Sequence, residues 1–150
     1  MRDKDGVDAA FMICEMFAYY KTRGISLLTK LEQIQAEYGC CLNTLHSYAF
    51  EGSTGMHRMQ AIMADLRRGV SEIGGLTVKT IKDYLLGLEN LPSSNVLKYG
   101  LESGCSVVIR PSGTEPKLKV YLSVTGKNKT AAELLEKRLT ADLERRIHET

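Results

Sequence analysis

Residues that could bind a phosphate group are concentrated in one ten-residue stretch with the sequence RPSGTEPKLK, residues 110–119. A phosphate dianion has several acceptor oxygens and two negative charges, so cations and hydrogen-bond donors together bind it best. The stretch supplies both kinds of group, with a guanidinium, two hydroxyls and an ammonium at Arg110, Ser112, Thr114 and Lys119. These residue types therefore favour phosphate binding.

Two β-strands are predicted to flank this stretch. A β-branched run, 106–109, precedes it, and alternating apolar residues at the strand period of two follow it, at Leu118, Val120, Leu122 and Val124. Gly113 allows backbone conformations closed to other residues, so successive N–H groups could point into one concavity. The alternation turns Lys119 away from the apolar face. No helix follows, which excludes a Walker A loop, but Pro, Gly and Ser are also typical of plain turns. Both a phosphate cradle and a simple connection stay open on these residues alone.

Composition indicates one globular domain, or one domain with an appendage, since the chain has 150 residues, 43% of them hydrophobic, and a net charge of +2. The positive charge forms no basic run, so neither nucleic acid nor membrane is expected as a partner. The four cysteines lack a Cys-x-x-Cys spacing and the three histidines are scattered, so we expect free thiols, a cytoplasmic location and no metal site. The apolar stretch 9–20 contains Glu15 and is too short to span a bilayer.

The remaining patterns predict an α+β fold. Two helices, 8–23 and 26–39, come first, and the first is apolar on more than one side. A later helix ends at Arg68 and is capped by Ser53 or Thr54, and a last helix opens with a capping box at Thr130 to Glu133. The predicted strands are 45–50, 96–101, 105–110 and 117–125, with 73–86 ambiguous between strand and helix. We therefore expect an antiparallel sheet of about four strands, covered on one face by two helices.

The sequence RPSGTEPKLKVY, from Arg110 to Tyr121, closely resembles the phosphate-binding loop in the last domain of the α-D-phosphohexomutases, the phosphoglucomutase and phosphomannomutase family. The resemblance extends to RDKDGV, FEGSTGMHRMQAIMADLR and LPSSNVLKYGLESG, which begin at Arg2, Phe50 and Leu91. It implies that residues 1–39 are the helical tail of an α/β third domain. Residues 40–150 would then be the C-terminal phosphate-binding domain, with a fold like that of the TATA-binding protein and a hinge at 39–43.

The resemblance also implies roles for individual residues. The substrate phosphate would be held by the residues at the matching positions, Arg110, Ser112, Gly113, Thr114 and Lys119. Lys4 in RDKDGV matches a lysine close to the sugar and is a candidate for proton transfer. No residue of this chain matches a metal ligand.

The implied parent enzyme is an isomerase, an intramolecular phosphotransferase that interconverts hexose 1-phosphate and 6-phosphate. Its reaction proceeds through a phosphoserine and glucose 1,6-bisphosphate, with Mg²⁺ bound by an aspartate-rich loop. Segments resembling TASHNP, DGDGDR or GEESGG do not occur among the 150 residues. The chain, which starts in a charged turn as an excised fragment would, is thus expected to lack activity without the N-terminal domains. The alternatives are a phosphopentomutase or phosphoglucosamine mutase parent, or a stand-alone, non-catalytic phosphate-binding domain.

Overall fold

The computed structural model describes residues 5–52, 54–88 and 90–149, and the chain divides into two compact units, Met1–Gly39 and Cys40–Thr150. The first unit contains helices α1, Gly6–Lys21, and α2, Leu27–Tyr38. Asp5 caps α1 by accepting hydrogen bonds from two backbone N–H groups, and Ser26 caps α2 as predicted. Every residue of the two helices is at least partly exposed to solvent. Their exposed apolar side chains include Phe11, Met12, Ile13, Phe17, Leu28, Leu31 and Tyr38.

The second unit is an antiparallel sheet with two long helices. The described strands are β1 Cys40–Ala49, β2 Glu72–Ile73, β3 Leu76–Asp83, β4 Leu97–Leu101, β5 Ser106–Pro111 and β6 Lys117–Gly126. They lie in the order β1-β6-β5-β4-β3-β2, and the long helices are α3 Gly55–Arg67 and α4 Lys129–Glu149. The predicted α+β class is confirmed.

The sheet has six described strands instead of about four. The ambiguous segment 73–86 forms β3 and completes β2, because two glycines, Gly74 and Gly75, have positive φ angles and join the strands in a tight turn. In addition, β1 begins at Cys40 instead of Leu45, so most of the expected hinge at 39–43 is strand. Its first residues pair with the end of β6, where Cys40 lies opposite Gly126.

One core fills the space between the helices and one face of the sheet. The helices contribute Met59, Ile62, Met63, Leu66, Leu139, Leu143 and Ile147, and the strands contribute Leu97, Tyr99, Val107, Ile109, Leu118, Val120, Leu122 and Val124. The Tyr99 hydroxyl donates a 2.7 Å hydrogen bond to the Leu66 carbonyl oxygen, so the buried phenol has its polar group satisfied. Because side chains alternate along a strand, the intervening residues form the opposite face, which we call the open face.

The predicted caps of α3 and α4 have different outcomes. Thr54 precedes α3 but makes no side-chain capping bond, and Ser53 lies outside the described residues. The capping box at Thr130 was wrong, because Asn128 caps α4 instead: its side-chain oxygen accepts a 2.8 Å hydrogen bond from the Ala131 N–H. Thr130 therefore lies in the first turn of the helix. Among the described residues, no helix combines the length and the hydropathy needed to cross a membrane.

Candidate functional site

The loop between β5 and β6, residues 112–116, is held at both of its ends. The Ser112 N–H donates a 2.8 Å hydrogen bond to the Lys117 carbonyl oxygen, which closes the loop across its base. At the far end, the Phe50 N–H donates a 2.9 Å hydrogen bond to the Pro116 carbonyl oxygen. The side chain of Phe50 belongs to the core, so the loop is attached to the packed part of the domain.

The middle of the loop keeps its hydrogen-bond donors unpaired. In the described part of the chain, the N–H groups of Gly113, Thr114 and Glu115 donate to no protein acceptor, and the Ser112 and Thr114 hydroxyls also lack a protein partner. Three consecutive N–H groups and two hydroxyls are therefore available to an anion. The Ser112 N–H is not, because it closes the loop.

The expectation that Gly113 adopts a conformation closed to other residues was wrong. Gly113 is not among the residues with positive φ, and a Cβ atom added to it would meet no atom within 4 Å. Any residue could adopt this backbone. What the glycine leaves at this position is open space beside the unpaired N–H groups.

Arg110 and Lys119 lie directly opposite each other on β5 and β6, and both are on the open face because their neighbours Ile109 and Leu118 are buried in the core. The predicted orientation of Lys119 is therefore observed. Within the described residues, neither side chain forms an ion pair or hydrogen bond, and Arg110 is exposed. We call the 112–116 loop, together with Arg110 and Lys119, the phosphate cradle.

One acidic side chain lies within the cradle, and it is neutralised. The Glu115 carboxylate is 3.0 Å from the Lys117 ammonium, and both groups are about half exposed. An exposed pair of this kind stabilises the fold little. It does, however, place a cation beside the only carboxylate of the loop, so the cradle presents a net positive charge.

A cleft of about 170 Å³ adjoins the loop on the side of α3. Its lining is partly apolar and partly polar, and comprises Met56, Met59, Gln60, Met63, Asn95, Pro111, Ser112 and Gly113. The Asn95 side-chain oxygen accepts a hydrogen bond from Arg67, which also forms a 2.9 Å ion pair with Asp83. The cleft is therefore open to a group that extends from the loop towards α3.

The remaining site predictions concern a lysine and a metal. Lys4, the candidate for proton transfer, lies outside the described residues. No three His, Cys, Asp or Glu side chains of the described residues are grouped so that they could hold a metal ion. The residues of this chain that the structure describes therefore do not fit a Mg²⁺ ion.

A second polar cluster joins β1 to α4, and sequence reasoning missed it. Glu136 accepts hydrogen bonds from Thr44 (3.0 Å) and Thr140 (3.2 Å), and its carboxylate is 2.8 Å from Nε2 of His46. We call these four residues the β1–α4 network. Burial alone would raise the pKa of Glu136, but the hydrogen bonds from His46, Thr44 and Thr140 together outweigh burial and lower that pKa below its ordinary value. Roughly ninety residues separate β1 from α4 in this contact, so no local signal could reveal it.

A further cation on the open face was also missed. Lys98 follows the buried residue Leu97 on β4 and lies opposite Val108 on β5. Because side chains alternate along a strand, the position of Lys98 between the apolar residues Leu97 and Tyr99 would have assigned it to the open face. The turn residues 102–104 predict a hairpin of β4 and β5, but the proximity of Lys98 to Arg110 depends on the register of that hairpin, which the structure supplies.

Comparisons with known proteins give a consistent result. The family profile described as phosphoglucomutase/phosphomannomutase, C-terminal domain, matches residues 52–141. Phosphoglucomutase of Staphylococcus aureus strain USA300 is 38% identical over 136 residues, which cover 83% of this chain and 24% of the relative. The phosphoglucomutase of strain MSSA476 is 36% identical over 140 residues, covering 85% of this chain and 25% of the relative. The chain thus spans about a quarter of the length of these curated relatives.

A solved structure shares the fold. The open form of the exocytosis-sensitive phosphoprotein pp63/parafusin from Paramecium, a phosphoglucomutase, superimposes with a TM-score of 0.62. The match covers 96% of this chain and 28% of the other chain, at 16% sequence identity. At that identity, the similarity supports the fold alone.

Proposed function

The chain belongs to the phosphoglucomutase/phosphomannomutase family, and we propose that its second unit, 40–150, binds the phosphate group of the substrate in such an enzyme. The main support for the proposal is the set of hydrogen-bond donors and cations in the phosphate cradle. Three consecutive N–H groups, two hydroxyls and two cations lie at one end of the sheet, and none has a partner in the part of the protein that the structure describes. Charged and neutral donors in this combination match the acceptors and the charge of a phosphate monoester.

The cradle can orient a phosphate without changing the fold. Its backbone is fixed by the two hydrogen bonds at its ends, and Arg110 and Lys119 project from paired strands. An anion bound there gains charge-assisted hydrogen bonds, while the protein loses none of its own. In the whole enzyme, such a clamp would hold one end of the sugar so that its other end is positioned for phosphoryl transfer.

For the whole enzyme we infer the activity of its family, interconversion of hexose 1-phosphate and 6-phosphate in the cytoplasm. The phosphoserine, the Mg²⁺ site and the main sugar contacts would belong to the N-terminal domains, which are the partners of this chain. A bound Mg²⁺ would neutralise charge on the transferring phosphoryl group. Lys4 keeps its proposed role in proton transfer, and glucose 1,6-bisphosphate its proposed role as the bound sugar bisphosphate through which the reaction proceeds.

The first unit, 1–39, is proposed to be the tail of the third domain. Its two helices expose large apolar side chains on several sides, among them Phe11, Phe17, Leu28 and Leu31. Apolar surface of this extent is typical of a protein interface. Other parts of the third domain would cover it in the whole enzyme.

Binding can be tested by an NMR titration of the ¹⁵N-labelled chain with inorganic phosphate and with glucose 1-phosphate. We expect saturable shifts of the Gly113, Thr114 and Glu115 amide signals, because these N–H groups would donate to the ligand. The Lys137→Met variant is a matched control, since Lys137 is exposed on α4, away from the cradle. Its titration should be unchanged. Shifts of equal size over the whole surface, without saturation, would contradict the proposal.

Activity provides an independent test. The chain should not convert glucose 1-phosphate to glucose 6-phosphate when Mg²⁺ and glucose 1,6-bisphosphate are supplied, because the described residues include no metal site. Turnover that persists through repeated purification would show that the division of labour between domains is wrong. Binding to the cradle could still be correct in that case.

A further inference from the structure

The strands that surround the cradle carry an unusual distribution of charge. The four neighbouring strands β1, β6, β5 and β4 contain Lys98, Arg110, Lys117 and Lys119, and no aspartate or glutamate. Lys117 is paired with Glu115 in the loop. Within the described residues, Lys98, Arg110 and Lys119 form no ion pair and no hydrogen bond. Three uncompensated cations therefore occupy one region of the open face.

Strand pairing places Lys98 next to the cradle. Lys98 lies opposite Val108, and Arg110 is two residues further along β5 towards the loop, on the same face. Diagonal neighbours of this kind are about 7–8 Å apart, within reach of long side chains. Asn95, just before β4, lines the same cleft as Ser112 and Gly113, so the start of β4 is at the loop end of the sheet.

Among the described residues, the other groups facing this region do not neutralise Lys98. Across the sheet from Lys98, the residues that lie opposite one another on β5, β6 and β1 are all uncharged: Val108, Tyr121 and Leu45. On β3, the residue opposite Lys98 is Lys82, another cation. A lysine has a flexible four-carbon stem, so its ammonium can move towards an anion held by Arg110 and Lys119.

We propose that Lys98 is a third cation of the phosphate cradle and makes it selective for a doubly charged phosphate monoester. This inference rests on the proposed function, since Lys98 acts on an anion that the loop already holds. Two cations balance a dianion bound by the loop. A third one favours the monoester over any singly charged group of similar shape, because the added attraction is proportional to the ligand charge.

The test compares methyl phosphate with dimethyl phosphate, by NMR titration of the Gly113 amide signal at pH 8. Methyl phosphate is then a dianion, since the second pKa of a phosphate monoester is about 6, whereas dimethyl phosphate carries one charge. For the Lys98→Met variant we expect a dissociation constant for methyl phosphate that is about three- to fivefold higher, as for loss of one exposed charge pair. The preference for methyl phosphate over dimethyl phosphate should fall, and Lys98→Arg should restore it.

The outcomes separate this inference from the proposal on which it rests. If Arg110→Met weakens binding about tenfold or more and Lys98→Met leaves the preference unchanged, the cradle binds phosphate and the inference about Lys98 is wrong. If wild-type chain shows no saturable binding of methyl phosphate, the proposed function itself fails. Lys137→Met should behave as wild type, and circular dichroism of each variant checks that its fold is retained.

Discussion

The phosphate cradle and the β1–α4 network are both clusters of polar groups in the second unit, but they differ in whether those groups are hydrogen-bonded within the protein. In the network, one carboxylate receives bonds from two hydroxyls and contacts a histidine, and its side chain is only 13% exposed. In the cradle, three N–H groups and two cations have no partner among the described residues.

Burial explains the difference. A polar group removed from water must be paired, or folding loses its hydration energy, whereas an exposed donor can bond to water at little cost. The network is therefore paired because it lies between a strand and a helix. The cradle can keep its donors unpaired because its loop lies at one end of the sheet, where residues 113–115 are exposed to solvent. Paired groups here contribute to stability, and unpaired ones are available to a ligand.

The largest effect that would separate the two regions is expected from Arg110→Met. This change should weaken phosphate binding by about tenfold or more, since a guanidinium can donate two hydrogen bonds to one phosphate. The free energy of unfolding should change by no more than about 0.5 kcal/mol, because the side chain is exposed and pairs with no described residue. Isothermal calorimetry and urea unfolding would measure the two quantities. If the variant also lost several kcal/mol of unfolding free energy, Arg110 would stabilise the fold as well as bind phosphate, and the contrast between the two regions would not hold.

The opposite result is expected from Glu136→Ala in the network. Thr44, Thr140 and His46 would lose their shared acceptor, and we expect unfolding to require about 2 kcal/mol less free energy. Phosphate affinity should be unchanged. Glu133→Ala on the same helix is the control, since the contact of Glu133 with described residues is an exposed one of 3.9 Å with Lys129. A network variant as stable as this control would show that the paired groups contribute nothing.

The pH dependence of stability should also come from the paired carboxylates. The pKa of Glu136 is lowered in the folded state, and so is that of Asp142, where burial opposes the shift and bonds from Gly74, Arg145 and Arg146 outweigh it. As pH falls, the unfolded chain takes up protons first at these groups. The ordinary pKa values are 4.5 for Glu136 and 3.8 for Asp142. Above these values the two carboxylates contribute fully to the free energy of unfolding. This contribution is lost as the pH falls through the lowered pKa values of the folded state.

Urea unfolding from neutral to acidic pH tests this interpretation. Wild-type chain should lose stability with acidification, and Glu136→Gln should show a smaller dependence, because it cannot take up that proton. Parallel curves for the two proteins would argue against a titrating role of the network. Phosphate binding by Glu136→Gln at neutral pH serves as the check that the cradle is intact.

The smallest effect is expected from Gly113→Ala. The added methyl group meets no protein atom, and the backbone angle is accessible to alanine, so stability should be preserved. The methyl group would nevertheless occupy space beside the unpaired N–H groups, and we expect phosphate binding about fivefold weaker, equivalent to ~1 kcal/mol. A titration followed at the Thr114 amide would measure it. Unchanged affinity would mean that the ligand does not approach Gly113 closely.

Some of the architecture could be predicted from local patterns. The alternation from Leu118 to Val124 identified β6 and the direction of Lys119, because a strand has a side-chain period of two. Chain segments with weaker patterns were less certain. Gly74 and Gly75 interrupt the region 72–83, and only pairing with β4 makes β3 a strand of the main sheet.

The amino-acid sequence by itself determined the residue types of the cradle, its position between two strands and the family of the chain. Tertiary structure alone decided that the Ser112 N–H closes the loop, that Gly113 leaves open space, and that His46 meets Glu136. It also decided the register of β4 on β5 that places Lys98 beside Arg110. The physical reason is that periodicity and turn propensity act over a few residues, whereas strand register and helix packing join residues far apart in the chain.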